Sequence, residues 1–130
     1  WQTATLQDGL ASNHVNDLAL APDGALWVAM EPVFDDDGNP IGGGVRRRDP
    51  DGTWRTFTIA DGLLDDAMAC VAVTADGSAW FGSTIGLSRR APDGTWSTES
   101  TAGDVQSLSP GPAGVWFGHL FHGLSRLTLP

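Results

Sequence analysis

Six tryptophans fall into two recurring phrases. Trp27, Trp80 and Trp116 lie in Ala-Leu-Trp-Val-Ala, Ala-Trp-Phe-Gly and Val-Trp-Phe-Gly, while Trp1, Trp54 and Trp96 each open a polar, β-prone run. Trp1 precedes Trp27 by 26 residues, and Trp54 precedes Trp80 by the same 26. Such self-similarity is the mark of a repeat architecture, in which one unit cannot bury its apolar face alone and neighbours must stack to make a core. A second copy starting after Pro130 would place its Trp1 15 residues beyond Trp116, against 16 from Trp80 to Trp96, so the chain is expected to continue its own pattern into a further copy.

Seven Asp-Gly dipeptides, at Asp8, Asp23, Asp37, Asp51, Asp61, Asp76 and Asp93, punctuate short runs rich in Val, Leu, Thr and Trp. Asp-Gly between β-prone runs is a hairpin signal. The second unit then reads as four antiparallel strands over 69–74, 79–83, 87–90 and 96–100, and the first as 15–21, 25–33, 44–48 and 54–59. The third supplies 105–109, 115–118 and 124–128, and a strand of the missing type stands at 1–6. Four-stranded units of about 42 residues without helical periodicity predict an all-β chain, a β-propeller with three four-stranded antiparallel blades. The expected blades span about 14–59, 68–100 and 104–128. The strand 1–6 of a partner chain would complete the last blade, since an N-terminal strand closing the final blade is the propeller's closure device. Three blades are fewer than the roughly four to eight that close a ring, so a homodimer of six blades is expected, with a fragment of a longer propeller as the other possibility.

The second unit, Phe57-Thr-Ile-Ala-Asp61-Gly62-Leu63 followed by Val71, Asp76-Gly77, Trp80-Phe81-Gly82 and Gly86-Leu87, resembles the two-component regulator propeller repeat. Asp8-Gly9-Leu10, Asp23-Gly24 and Trp27 match in the first unit, where Ala29-Met30 replaces the usual Gly-Thr. The third loses the Asp-Gly-Leu loop and turns on Gly111-Pro-Ala-Gly114, but keeps Trp116-Phe117-Gly118 and Gly123-Leu124. These residues are turns and core, so the motif specifies fold far more than function: tight hairpins, a Trp packed between blades, and a glycine that admits a close backbone approach. The resemblance implies a bacterial, extracytoplasmic, sensor-type module, some relatives of which recognise carbohydrate-derived ligands, with no catalytic residue and no cofactor.

Sixteen acidic residues against seven basic ones, all arginine, give a net charge of −9, which disfavours nucleic acid and anionic membranes as partners. No run approaches the roughly 18 apolar residues of a bilayer span. Arg46, Arg47 and Arg48 are read as a strand edge paired with acidic neighbours. Cys70, the only cysteine, excludes an internal disulfide and is read as a small buried hydrophobe.

In a propeller the blade-to-blade loops share one face with the hairpins joining each second and third strand, and that face is the expected ligand site. Its candidate binding residues are Asn13, His14, Phe34, Asp36, Asp65, Asp66, His119, Phe121 and His122, where aromatic rings beside carboxylates suit a small polar or carbohydrate ligand. An 11-residue insertion near 31–43 alternates Asp35, Asp37 and Asn39 as calcium ligands would. Pro40 stands where a calcium loop needs glycine and the closing Glu is absent, so a lengthened hairpin with an acidic tip is the expectation. Two histidines across a turn, His119 and His122, fall short of the three or four ligands of a transition-metal site. No nucleophile elbow or phosphate loop occurs.

The leading expectation is a non-catalytic binding or sensor-type module. A second is a metal-dependent lyase of the streptogramin-inactivating type, whose repeats share turns like Pro22-Asp-Gly-Ala-Leu-Trp27 but which needs clustered His and Glu. A third is a self-assembling half-propeller, a natural fragment or an engineered one, whose role is structural.

Overall fold

The computed structural model describes residue 3 and residues 14–100, 103–120 and 123–128. Within them the chain forms eleven antiparallel strands and one 3-10 turn, Ile59–Asp61. Strands β1 (Val15–Leu20), β2 (Leu26–Phe34), β3 (Pro40–Arg48) and β4 (Trp54–Phe57) pair in that order as the first blade. The second is β5 (Met68–Val73), β6 (Ala79–Ser83), β7 (Gly86–Arg90) and β8 (Trp96–Ser100). The third contains β9 (Ser107–Gly111), β10 (Gly114–Gly118) and β11 (Leu124–Thr128). The strand expected at 1–6 lies outside the described residues.

Turn chemistry explains why the strands fall where they do. Gly24, Gly52, Gly77 and Gly94 all adopt φ near +90°, and the preceding aspartate accepts a hydrogen bond from the amide two residues on, as Asp23 Oδ1 does from Ala25 N at 2.9 Å. This is a type I turn followed by a left-handed residue, the three-residue hairpin connection that favours Gly at its last position. Asp61-Gly62 has another use. It ends the 3-10 turn, Gly62 N donating to Ile59 O, on the crossover from the first blade to the second.

The insertion is the expected long hairpin. Strands β2 and β3 pair from Leu26↔Arg48 to Phe34↔Pro40, and Asp35 Oδ1 caps the tip by accepting from Asp37 N and Asn39 N. The arginine run pairs with an acidic neighbour as expected, Arg47 with Asp49, and also with Asp23 from the β1–β2 turn, but β3 is an inner strand between β2 and β4 and not an edge. The β2–β3 register carries the hairpin-tip aspartates to the far end of the blade.

The core lies between blades. Trp27 packs on Phe57 and Phe81, and Trp96 on Phe57 and Phe81, with centroids 5.3–5.6 Å apart, closing the first interface. Trp80 joins Cys70, Leu87, Val105, Val115 and Phe117 in the second. Polar ties supplement these contacts: Asn16 Nδ2 donates to Met68 O and Val71 N to Asp17 Oδ2, joining the innermost strands β1 and β5.

Burial pushes the Cys70 thiol up to about 12, with the Asp17 charge adding to the shift. A raised pKa contributes stability that is complete below the unfolded thiol value of about 9 and is lost as pH rises toward 12. The chain has no tyrosine and no lysine, so no other side-chain type has its ordinary pKa between those values. Thermal unfolding at pH 7 and pH 10.5 should therefore show a lower melting temperature at the alkaline pH for the wild type. Cys70→Ala should remove most of that difference.

Candidate functional site

Antiparallel pairing separates two faces. On one stand the β2–β3, β6–β7 and β10–β11 hairpins with the crossovers between blades; on the other stand the β1–β2, β5–β6 and β9–β10 turns. The first is the loop face. Gly44 N donates to Asp66 O, Val105 N to Ser83 O and Leu120 N to Asp104 Oδ2, lacing the crossovers onto those hairpins.

The loop-face candidates fall into three groups. Asn13, Phe121 and His122 lie outside the described residues. Asp65, Asp66 and His119 lie in the crossover and hairpin segments and hold backbone there. Asp65 Oδ1 accepts from Ala67 N at 3.2 Å, and Asp66 Oδ1 from Ile59 N at 2.9 Å, which fixes the 3-10 turn against the crossover. His119 Nδ1 is 2.8 Å from Asp104 O, a carbonyl that only accepts, so Nδ1 carries a proton; Nε2 lies 2.9 Å from Ser125 Oγ, within hydrogen-bond distance of a hydroxyl that can donate or accept. Its ring also packs edge-on against Phe117. Both nitrogens are thus engaged by the protein. Phe34, Asp36 and His14 form the third group, all exposed. Phe34 and Asp36 project on the long hairpin, Phe34 at 66% exposure, while His14 precedes β1 and its carbonyl accepts from Glu31 N.

Among the described residues no group of three or more His, Cys, Asp or Glu is placed to hold a metal ion. No described helix is long and apolar enough to cross a membrane.

The turn face carries concavities that sequence reasoning missed. One of about 510 Å³ is bordered by Leu20, Pro22, Val73, Ala75, Pro110 and Pro112, two positions from each blade in register with one another. A second, about 210 Å³, lies between the first two blades with Trp27, Arg47, Arg90, Asp23 and Asp76 on its walls. Partial burial opposes the charge on Asp76, but hydrogen bonds from Thr74 and Ser78 and the Arg89 guanidinium hold its carboxyl below the usual carboxylate range.

A second unread feature is an Arg-Trp pair in every blade. Arg47, Arg89 and Arg126 lie directly across from Trp27, Trp80 and Trp116, each guanidinium 5.2–5.7 Å from the ring centroid. The signal was present in the sequence as an arginine 9 residues after Trp80 and 10 after Trp116.

No protein-family model and no curated protein sequence matches the chain. Solved structures do. The extracellular domain of the one-component system BT4673 from B. thetaiotaomicron superposes with a TM-score of 0.74 at 16% identity, over 98% of this chain and 16% of that one. Virginiamycin B lyase from Staphylococcus aureus gives 0.65 at 14% identity, over 90% of this chain and 42% of the lyase. The gluconolactonase XC5397 from Xanthomonas campestris gives 0.61 at 25% identity, over 93% and 40%. The chain therefore spans less than half of each of these proteins. It is built of β-propeller blades, and the likeness of its fold to these structures agrees with the propeller-repeat resemblance.

Proposed function

We propose that the chain is a non-catalytic propeller module that recognises a small polar or carbohydrate ligand at its loop face, as half of a six-bladed ring completed by a second copy. The observation that carries the non-catalytic reading is the employment of Asp65, Asp66 and His119. Their carboxylate and imidazole atoms hold loop backbone and a serine hydroxyl, where a general acid or base must face a reacting atom. The lyase reading has less support, because Glu99 stands on the outermost strand β8, bonded by Ser97 Oγ. Recognition falls instead to the projecting hairpin, where the Phe34 ring and the Asp36 carboxylate are both exposed, one for stacking and one for hydrogen bonding. A sensor-type role is supported by the likeness to the BT4673 extracellular domain.

A glycan array probed with the wild type and Phe34→Ala tests this. Binding to a defined glycan set that Phe34→Ala reduces at least tenfold is expected. Since Phe34 is solvent-facing, the variant should keep its thermal stability. Equal binding by both proteins, or no binding to any glycan, contradicts the reading.

A further inference from the structure

The strand registers place equivalent residues of the three blades side by side, and burial departs from that equivalence at two places. Each blade has an outgoing face, toward the next blade, and an incoming face, toward the one before. On the outgoing faces Trp27 and Trp80 are 3% and 0% exposed, whereas Trp116 is 41% exposed. Val45 and Leu87, across from Ala29 and Gly82, are both 0% exposed; Leu124, across from the equivalent Gly118, is 67% exposed. On the incoming faces Val71, across from Phe81, is 4% exposed, whereas Leu18, across from Val28, is 56% exposed. Trp54, across from Arg48, is the counterpart of Trp96, across from Arg90, and Trp96 packs into the first blade.

The exposed parts of these two faces are therefore the two halves of one seat. The third blade offers the outgoing half, Trp116 with Arg126 above it; the first offers the incoming half, where Leu18 and Leu20 on β1 are exposed while Val28 and Met30 are already buried with Leu26 and Trp54 packed against them. An exposed apolar face of this kind marks an interaction site. We infer that the Trp116 face of one copy receives the Leu18–Trp54 face of a second copy, and the reverse at the other end, so that two head-to-tail seats close the ring. The inference rests on the six-bladed reading above and adds the residues that make it.

The internal interface supplies the template. Arg90 of the second blade lies 5.5 Å from the Trp27 centroid, where Arg47 of the first blade already lies at 5.7 Å, so one ring is flanked by two guanidiniums, one from each blade. Arg48 holds in the first blade the place that Arg90 holds in the second, each opposite the outer-strand tryptophan. In the seat between copies Arg48 of the second copy would flank Trp116, with Arg126 from the same blade as the ring. The occupant is a second copy because each uncovered half finds its complement on the other end of the same chain. Three blades plus three also fall within the roughly four to eight of closed propellers.

Trp116→Asp and Leu18→Asp each spoil one half of the seat at an exposed position, and near-UV circular dichroism checks that the blades stay packed. At a concentration where the wild type has twice the 13.6 kDa chain mass, each variant alone should show the single-chain mass, because both seats of its dimer are spoiled. An equimolar mixture should yield heterodimers in native mass spectrometry, since one of the two seats is then wild-type on both sides. Two results separate the levels of the account. A single-chain mass for the wild type overturns both the ring and the seat. A dimeric wild type whose variants stay dimeric, or whose mixed variants fail to associate, leaves the ring standing and overturns this head-to-tail seat.

Discussion

Trp80→Ala should lower the free energy of unfolding by about 3–5 kcal/mol, the usual range for truncating a large aromatic in a core that cannot collapse around the void. Trp80 is fully buried between the second and third blades against Val115 and Phe117, and its indole N–H donates to Thr74 Oγ1 at 3.0 Å. Truncation removes the ring, withdraws that donor from a buried hydroxyl, and takes away the surface under Arg89. The same change at Trp116, repeat-equivalent but 41% exposed in the single chain, should cost well under half as much when measured on monomer. Denaturant midpoints of the two variants in the Leu18→Asp background, which is expected to be a single chain, provide the comparison.

Gly82→Ala should destabilise the fold by about 1–3 kcal/mol, through overpacking and not through backbone strain. A Cβ at this position would sit 2.5 Å from both Cys70 Sγ and Val105 Cγ1, in the seam where the third blade's entry crosses β6. Both obstacles are side chains, so the effect depends on whether they can shift. Combining Gly82→Ala with Val105→Ala should therefore give a loss smaller than the sum of the single losses, the coupling expected of residues in direct contact. Additive losses in a double-mutant cycle would mean that the seam yields without involving Val105.

Both predictions concern residues of the Trp-Phe-Gly phrase, and that phrase is where the sequence was most legible. Alternation on a strand sends Trp80 and Phe81 to opposite faces, so a pair of adjacent aromatics implies a sheet covered on both sides. The glycine that follows implies a neighbour too close for a side chain. Asp-Gly turns were equally readable, because a left-handed residue after a type I turn leaves few choices but glycine. Strand ends were less so: β9 begins at Ser107 where 105 was expected, since Val105 is held by its amide to Ser83 O in the crossover.

The candidate site was harder to read, for a physical reason. Carboxylates and imidazoles serve equally as ligand contacts and as local hydrogen-bond partners, and composition does not distinguish the two. Asp66 was read as a loop-face ligand group, yet its carboxylate reaches back seven residues to Ile59 N. His119 was read the same way, and its ring spans Asp104 and Ser125. Only Phe34 and Asp36 could be placed on the projecting hairpin from sequence alone, because an insertion between paired strands has nowhere to go but outward. The turn-face concavities depend on three turns converging from residues far apart in the chain, which no local pattern announces.

The most direct measurement of the whole account is the mass of the wild-type chain by light scattering across a hundredfold range of concentration. A mass of twice 13.6 kDa that persists on dilution is the expected result, since the uncovered Trp116, Leu124 and Leu18 faces then lie in contact with a second copy. A mass of 13.6 kDa at every concentration would contradict it, and would mean that no second copy covers those faces.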